Sequence, residues 1–198
     1  SAFMEDERVM LVHTPVERID STGQILGLWH PPMLGKPDDV ASLAMSLGLH
    51  LGACNLLIAD SQDLPALFKA LEGVRFHSFA AMNPLFHAMA QHPDLARVDW
   101  SHLRLSVGGG MAVQPATARL WLNKTGCPIC EGYGLSETSP TVSCNPTDSS
   151  HFNGSVGLPL PGTEVSVLDE GGVPLPAGVP GEIAVRGPQV MAGYWQRP

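Results

Sequence analysis

Between residues 54 and 126, short apolar runs alternate with stretches whose apolar residues return every three to four positions, and glycines mark the changes. A chain that switches in this way between the strand period and the helix period is confined to an α/β architecture, a mostly parallel sheet flanked by helices. Leu64, Leu67, Phe68 and Leu71 share one helical face, with Ser61 as the expected N-cap and Gly73 as the stop. Residues 76–82 read as a strand. Asn83-Pro84 then caps a helix to about Gln91, with proline at its first position. Residues 103–107 read as a strand that ends in Gly108-Gly109-Gly110, and Gln114-Pro115 begins a helix that stops at Gly126. Upstream, a helix from about Val40 ends at Gly52, and residues 54–59 form a short buried strand. Before Val40, Pro15, Pro31, Pro32 and Pro37 interrupt any period, so residues 1–39 carry no assignable element.

The composition changes at Gly154. Nine glycines and seven prolines fall in residues 154–198, against 23 such residues in the preceding 153. Val165 and Val167, then Ile183 and Val185, alternate with small or polar residues around Asp169-Glu170-Gly171-Gly172, the pattern of short antiparallel strands and tight turns. Three regions follow: an N-terminal segment 1–39, an α/β subdomain 40–153, and part of a β-rich subdomain 154–198. Eleven basic against 19 acidic residues give a net charge of −8, which argues against a broad nucleic-acid surface. A nucleotide remains compatible with that charge, because Mg²⁺ and backbone N–H groups hold phosphates without a basic surface. Residues 40–59 carry no formal charge, but Ser42, Ser46, Gly48, His50, Gly52 and Asn55 break the apolar run, so a helix followed by a strand is expected rather than a membrane span. The acidic start at Glu5-Asp6-Glu7 is unlike a secretory signal.

Cys127-Pro128-Ile129-Cys130 is a C-x-x-C without a second metal-ligand pair, and it runs into a strand and loop instead of opening a helix. Buried, reduced thiols are therefore expected. None of the eight histidines stands at a metal-ligand spacing. The triple glycine at 108–110 permits close backbone approach to a ligand, although a turn without a ligand is the more frequent explanation. Glu131-Gly132-Tyr133-Gly134-Leu135-Ser136-Glu137-Thr138 is more informative. Tyr133 between two glycines is free to lie against a planar ring, Ser136 offers a hydroxyl for a phosphate oxygen, and Glu137 offers a carboxylate for Mg²⁺. On residue types alone, a nucleotide site and a tyrosine-bearing turn capped by Ser136 stand level.

Taken in order, Ser106-Val107-Gly108-Gly109-Gly110-Met111, the segment 131–138, Gly154-Ser155-Val156-Gly157-Leu158-Pro159, and Gly181-Glu182-Ile183-Ala184-Val185-Arg186-Gly187-Pro188 with Met191-Ala192-Gly193-Tyr194-Trp195 resemble the motifs of adenylate-forming enzymes. The wording of 187–191 and 194–198 is similar to bacterial long-chain fatty-acid–CoA ligases, and the resemblance runs from about Val40 to Pro198. It implies ATP, Mg²⁺ and coenzyme A as reactants and cofactor. A fatty acid would be activated as acyl-adenylate and then passed to the thiol. It also implies roles: Gly108, Gly109, Gly110, Glu131, Gly132, Tyr133 and Gly134 around the adenine, Ser136 at the α-phosphate, and Glu137 on Mg²⁺. Gly108, Gly109 and the helix at 83–89 would border the acyl channel. Ser136 stands where threonine is commoner in the family. The family's phosphate loop, its Thr-Gly-Asp and its catalytic lysine have no counterpart in these 198 residues, so the chain resembles an internal piece of the large N-terminal domain and is expected to make no acyl-CoA alone. The resemblance further implies a cytoplasmic protein and leaves open both peripheral attachment at the inner membrane face and oligomer formation. A non-catalytic acyl- or partner-binding module, and a relative that activates an aryl or amino acid, are the alternative readings.

Overall fold

A computed structural model describes residues 10–13, 54–58 and 60–196. The helix expected from Val40 lies outside them. Strands β1 (Met10–His13), β2 (Cys54–Leu57), β3 (Ser78–Ala81), β4 (Leu105–Gly108) and β5 (Ile129–Gly134) pair in parallel in the order β2-β1-β3-β4-β5. Two short strands, β6 (Thr141–Cys144) and β7 (Leu158–Pro159), add antiparallel at the β5 side to complete a seven-stranded sheet. A separate antiparallel ribbon joins β8 (Glu164–Leu168) to β9 (Glu182–Arg186). The expected α/β fold is therefore present. The expected boundary at Gly154 precedes β7, which belongs to the larger sheet, and the ribbon begins ten residues later at Glu164.

Helix α1 (Leu64–Leu71) buries Leu67, Phe68 and Leu71 at 1% exposure or less, which is the apolar face read from the sequence. Its N-cap is Asp63, not Ser61. The Asp63 carboxylate accepts the Ala66 N–H at 3.0 Å, and an acidic side chain immediately before the first helical turn suits both the free amides and the helix dipole. Replacing Asp63 by alanine is expected to lower stability by about 0.5–2 kcal/mol, measured by denaturant unfolding. Helix α2 (Asn83–Gln91) has no side-chain cap. Asn83 lies inside it, and its Oδ1 accepts the Gln114 N–H at 2.8 Å, tying the start of α2 to the start of helix α3 (Pro115–Thr125). Gly126 ends α3 in the left-handed conformation at φ +75°, as glycine at that position commonly does.

The core is an aromatic cluster between the sheet and these helices. Trp121 on α3 stacks on Phe79 of β3 with ring centroids 5.7 Å apart, and meets Phe86 of α2 edge-on at 4.8 Å and Trp100 at 5.1 Å. The two indole N–H groups are satisfied: Trp121 donates to Ser106 Oγ at 3.0 Å and Trp100 to the Leu95 carbonyl at 3.0 Å.

The C-x-x-C pair does not close on itself. Cys127 lies against the Ser106 hydroxyl at 3.4 Å, while the Cys130 Sγ lies 3.6 Å from that of Cys144 and 3.0 Å from the Asn145 carbonyl. All three thiols are buried and reduced. Burial pushes the Cys127 thiol up. Its contact with Cys144, together with burial, holds the Cys130 thiol well above its usual range.

Candidate functional site

The chemistry-bearing residues gather where the parallel strands end. In α/β sheets this carboxyl edge is where ligands bind, because loops diverge there and helices begin. The register pairs Gly108 of β4 with Glu131 of β5, so the triple-glycine turn leaves the sheet beside Gly132-Tyr133-Gly134. A Cβ placed on Gly109 would stand 3.9 Å from the Gly132 carbonyl oxygen, so the two glycine-rich segments run side by side.

The three glycines of the turn do different work. Gly108 is a packing glycine: a Cβ there would lie 2.7 Å from Val113 Cγ2 and 2.8 Å from Ile129 Cγ2. Gly109 has ordinary room. Gly110 has φ +77°, a conformation that side-chain-bearing residues rarely adopt.

Glu131 sits in the interior at 4% exposure. Its Oε1 accepts the Val113 N–H at 2.8 Å, which latches the segment after the triple glycine onto β5. Burial pushes its carboxyl up, and the Val113 N–H pulls it back. Its main-chain carbonyl accepts the Asn145 N–H at 2.9 Å, and the Asn145 side chain in turn donates to the Ser155 carbonyl at 2.5 Å. The residue thus holds three segments in register.

Tyr133 is half-buried on β5, opposite Ser143, and a bulge follows it at Gly134. Gly134 must be glycine, because a Cβ there would overlap the Pro140 carbonyl. A single 3-10 turn, Ser136–Thr138, then returns the chain to β6. The buried Thr138 hydroxyl fastens it, accepting the Leu135 N–H at 3.0 Å and donating to the Pro140 carbonyl at 2.7 Å. Ser136 and Glu137 project from this turn, Ser136 exposed and Glu137 half-buried. The tight turn places them within four residues of Tyr133 along the same loop.

Glu137 also has partners that the sequence did not signal. Its Oε1 accepts the Tyr194 hydroxyl, and its main-chain carbonyl accepts the Met191 N–H at 2.8 Å. The Tyr194 hydrogen bond holds the Glu137 carboxyl below the usual carboxylate range. Its own main-chain N–H acts on the carboxyl in the same direction, and Oε2 makes no hydrogen bond to another described residue. An ionised carboxylate with an oxygen that no other described residue engages, one position after Ser136 in the chain, is a hard oxygen donor of the kind Mg²⁺ takes when phosphates supply further ligands, so these residue types fit the ion. No local pattern links residue 194 to residue 137. Asn145 and Gln189 were missed for the same reason.

The enclosed spaces lie elsewhere. A cleft of about 350 Å³ opens between α3 and the loop at 151–154, lined by Pro115, Ala118, Arg119, Leu122 and Phe152 among others. A smaller one borders Arg104, Cys130 and Asn145. Neither lining includes a residue given a ligand role in the sequence analysis. The glycine turns, Tyr133, Ser136 and Glu137 form an edge, and geometry and chemistry, not enclosed volume, single it out.

Comparison with known proteins gives the family of the chain. Residues 39–195 match the family described as AMP-binding enzyme. The long-chain-fatty-acid–CoA ligase of Yersinia pestis is 48% identical over 152 residues, covering 77% of this chain. The chain spans 27% of that relative's length. Among solved structures, a benzoate CoA ligase from Burkholderia xenovorans superposes with a TM-score of 0.69 at 26% identity, over 77% of this chain and 31% of that one. ATP-bound MatB from Rhodopseudomonas palustris superposes with a TM-score of 0.67 at 26% identity, over 98% of this chain and 34% of that one.

Proposed function

Because this chain belongs to the AMP-binding enzyme family, we propose that a protein containing it is an ATP-dependent acid–thiol ligase that activates a long-chain fatty acid as acyl-adenylate and transfers it to coenzyme A. In the first step a carboxylate oxygen of the fatty acid attacks the α-phosphorus of ATP. The α–β phosphoanhydride bond breaks and pyrophosphate leaves. In the second step the coenzyme A thiol attacks the acyl carbon, losing its proton, and AMP leaves with the bridging oxygen.

The observation that carries the reading is the carboxyl-edge arrangement, in which the Gly108-Gly109-Gly110 turn runs beside Gly132-Tyr133-Gly134 and the next turn presents Ser136 and Glu137. The glycine backbones admit the adenine closely, and Tyr133 supplies an aromatic face for it. Ser136 donates to an α-phosphate oxygen. Glu137 would hold Mg²⁺, which offsets negative charge on the phosphates. Glu131 acts at one remove, through Val113, by fixing the triple-glycine turn. Gly108, Gly109 and α2 border the path of the acyl chain.

The fatty-acid assignment rests on the name of the 48%-identical ligase, whereas the benzoate ligase stands at 26%. ATP–pyrophosphate exchange dependent on palmitate, followed by thioester formation with coenzyme A, tests it in the longer protein. Exchange driven by benzoate and not by palmitate would overturn the substrate class. The 198-residue chain alone, 27% of the length of the Yersinia ligase, is proposed to form no acyl-CoA, and thioester produced by it would overturn that.

Tyr133→Ala is expected to raise the KM for ATP by about fivefold to a hundredfold, on the scale of about 1–3 kcal/mol for a base stacked on an aromatic ring. The KM for fatty acid should hold steady. Equal changes in both would assign the ring to packing.

A further inference from the structure

We propose that Tyr194 is the positioning residue of the cation-binding carboxylate: its hydroxyl pins Oε1 of Glu137 and leaves Oε2 as the single oxygen presented to a divalent cation carried by a nucleotide phosphate. This rests on the role proposed above for Glu137.

Tyr194 is 57 residues from Glu137 in sequence, and a stapled segment brings it there. Gln189 is the staple. It is 8% exposed, and its Nε2 donates to the Thr141 carbonyl at 3.1 Å and to Thr163 Oγ1 at 2.7 Å. These bonds fix the segment to β6 on one side and to the approach to β8 on the other. Gly187 makes room for the staple, since a Cβ there would overlap the Gln189 amide oxygen. Two residues after Gln189, the Met191 N–H donates to the Glu137 main-chain carbonyl at 2.8 Å. Three residues later the Tyr194 hydroxyl donates to the Glu137 side chain. One segment therefore holds both the backbone and the carboxylate of the same residue.

The chemistry of the donor matters. A lysine or arginine at this point would orient the carboxylate but would also neutralise it and compete with a cation. A phenol is a neutral donor, so the carboxylate is oriented while its full negative charge remains. The side chain of Glu137 otherwise rotates about three bonds in a half-exposed loop. Engaging one oxygen restricts where the other can point.

The test uses the 198-residue chain, with ATP as the nucleotide and Mn²⁺ as the probe cation. ATP affinity is measured by calorimetry with Mn²⁺ and in EDTA, and Mn²⁺ binding is followed by water-proton relaxation. In the wild type Mn²⁺ should tighten ATP binding, and Glu137→Gln should abolish that gain. Tyr194→Phe keeps the ring and removes only the hydroxyl. It should lower the Mn²⁺-dependent gain by about three- to tenfold, the net scale of one ordinary hydrogen bond. Affinity in EDTA should stay unchanged, a separation that a merely structural role would not produce. Trp195→Ala, at the neighbouring position that is 88% exposed, should alter neither value. If Glu137→Gln abolishes the gain and Tyr194→Phe keeps all of it, the positioning role is overturned and the cation site stands. If Tyr194→Phe weakens binding equally with and without Mn²⁺, the role is again overturned. A wild type without any Mn²⁺ effect overturns both.

Discussion

Replacing Glu137 by glutamine, in the longer protein, is expected to lower adenylate formation by about 10²-fold or more, the scale seen when a charge-stabilising group of an active site is removed. Glutamine keeps the length and shape of the side chain and can still accept the Tyr194 hydroxyl and point the same way. What it loses is the negative charge that makes Oε2 a good oxygen ligand for Mg²⁺. The defect should therefore be one of cation affinity. ATP–pyrophosphate exchange measured across a Mg²⁺ titration should show the curve displaced to higher Mg²⁺, with partial recovery at saturation. An exchange rate equal to wild type at limiting Mg²⁺ would remove Glu137 from the cation site. A rate lowered uniformly at every Mg²⁺ concentration would move its role from holding the ion to organising the turn.

The largest expected change in stability belongs to Trp121→Ala, about 3–5 kcal/mol. The indole is fully buried and touches the rings of Phe79, Phe86 and Trp100, so its loss leaves a void walled by three aromatic side chains that cannot all collapse inward. It also takes the N–H donor away from the fully buried Ser106 hydroxyl. Urea unfolding should show a lower midpoint with little change in slope. Trp195→Ala should stay within about 0.5 kcal/mol of wild type, because its indole is 88% exposed. A loss below about 1 kcal/mol at Trp121 would mean that the aromatic cluster is not what holds α3 to the sheet.

The legible parts of this fold are those whose signal is local. The face Leu67-Phe68-Leu71, the proline at the start of α3 and the left-handed Gly126 stop are each set by neighbours within a few residues, and each was read from the sequence. The strand β1 was not. Its four residues lie at an inner position of a parallel sheet, where partners come from residues 54–57 and 78–80, and nothing in Met10-Leu11-Val12-His13 itself carries that information. The N-cap of α1 was placed two residues early, at Ser61, because the serine and Asp63 offer the same kind of side-chain acceptor and only the geometry of the first turn chooses between them. At the candidate site, the ring, the hydroxyl and the carboxylate suggest one another in the sequence because one short loop carries them. The interior placement of Glu131 was not legible, since a carboxylate in a glycine-rich stretch reads as a ligand contact until its buried amide partner, 18 residues away, is known. Tyr194 was beyond reach for the same reason on a larger scale: its acceptor is 57 residues distant.

The contact between Gly134 and the Pro140 carbonyl works as a mechanical stop. With no room for even a methyl group, and with Thr138 bolting the arc from inside, the loop is drawn tight at its neck. On the function proposed above, a nucleotide that reaches from Tyr133 to Glu137 would therefore span a backbone arc pinched shut between its two ends.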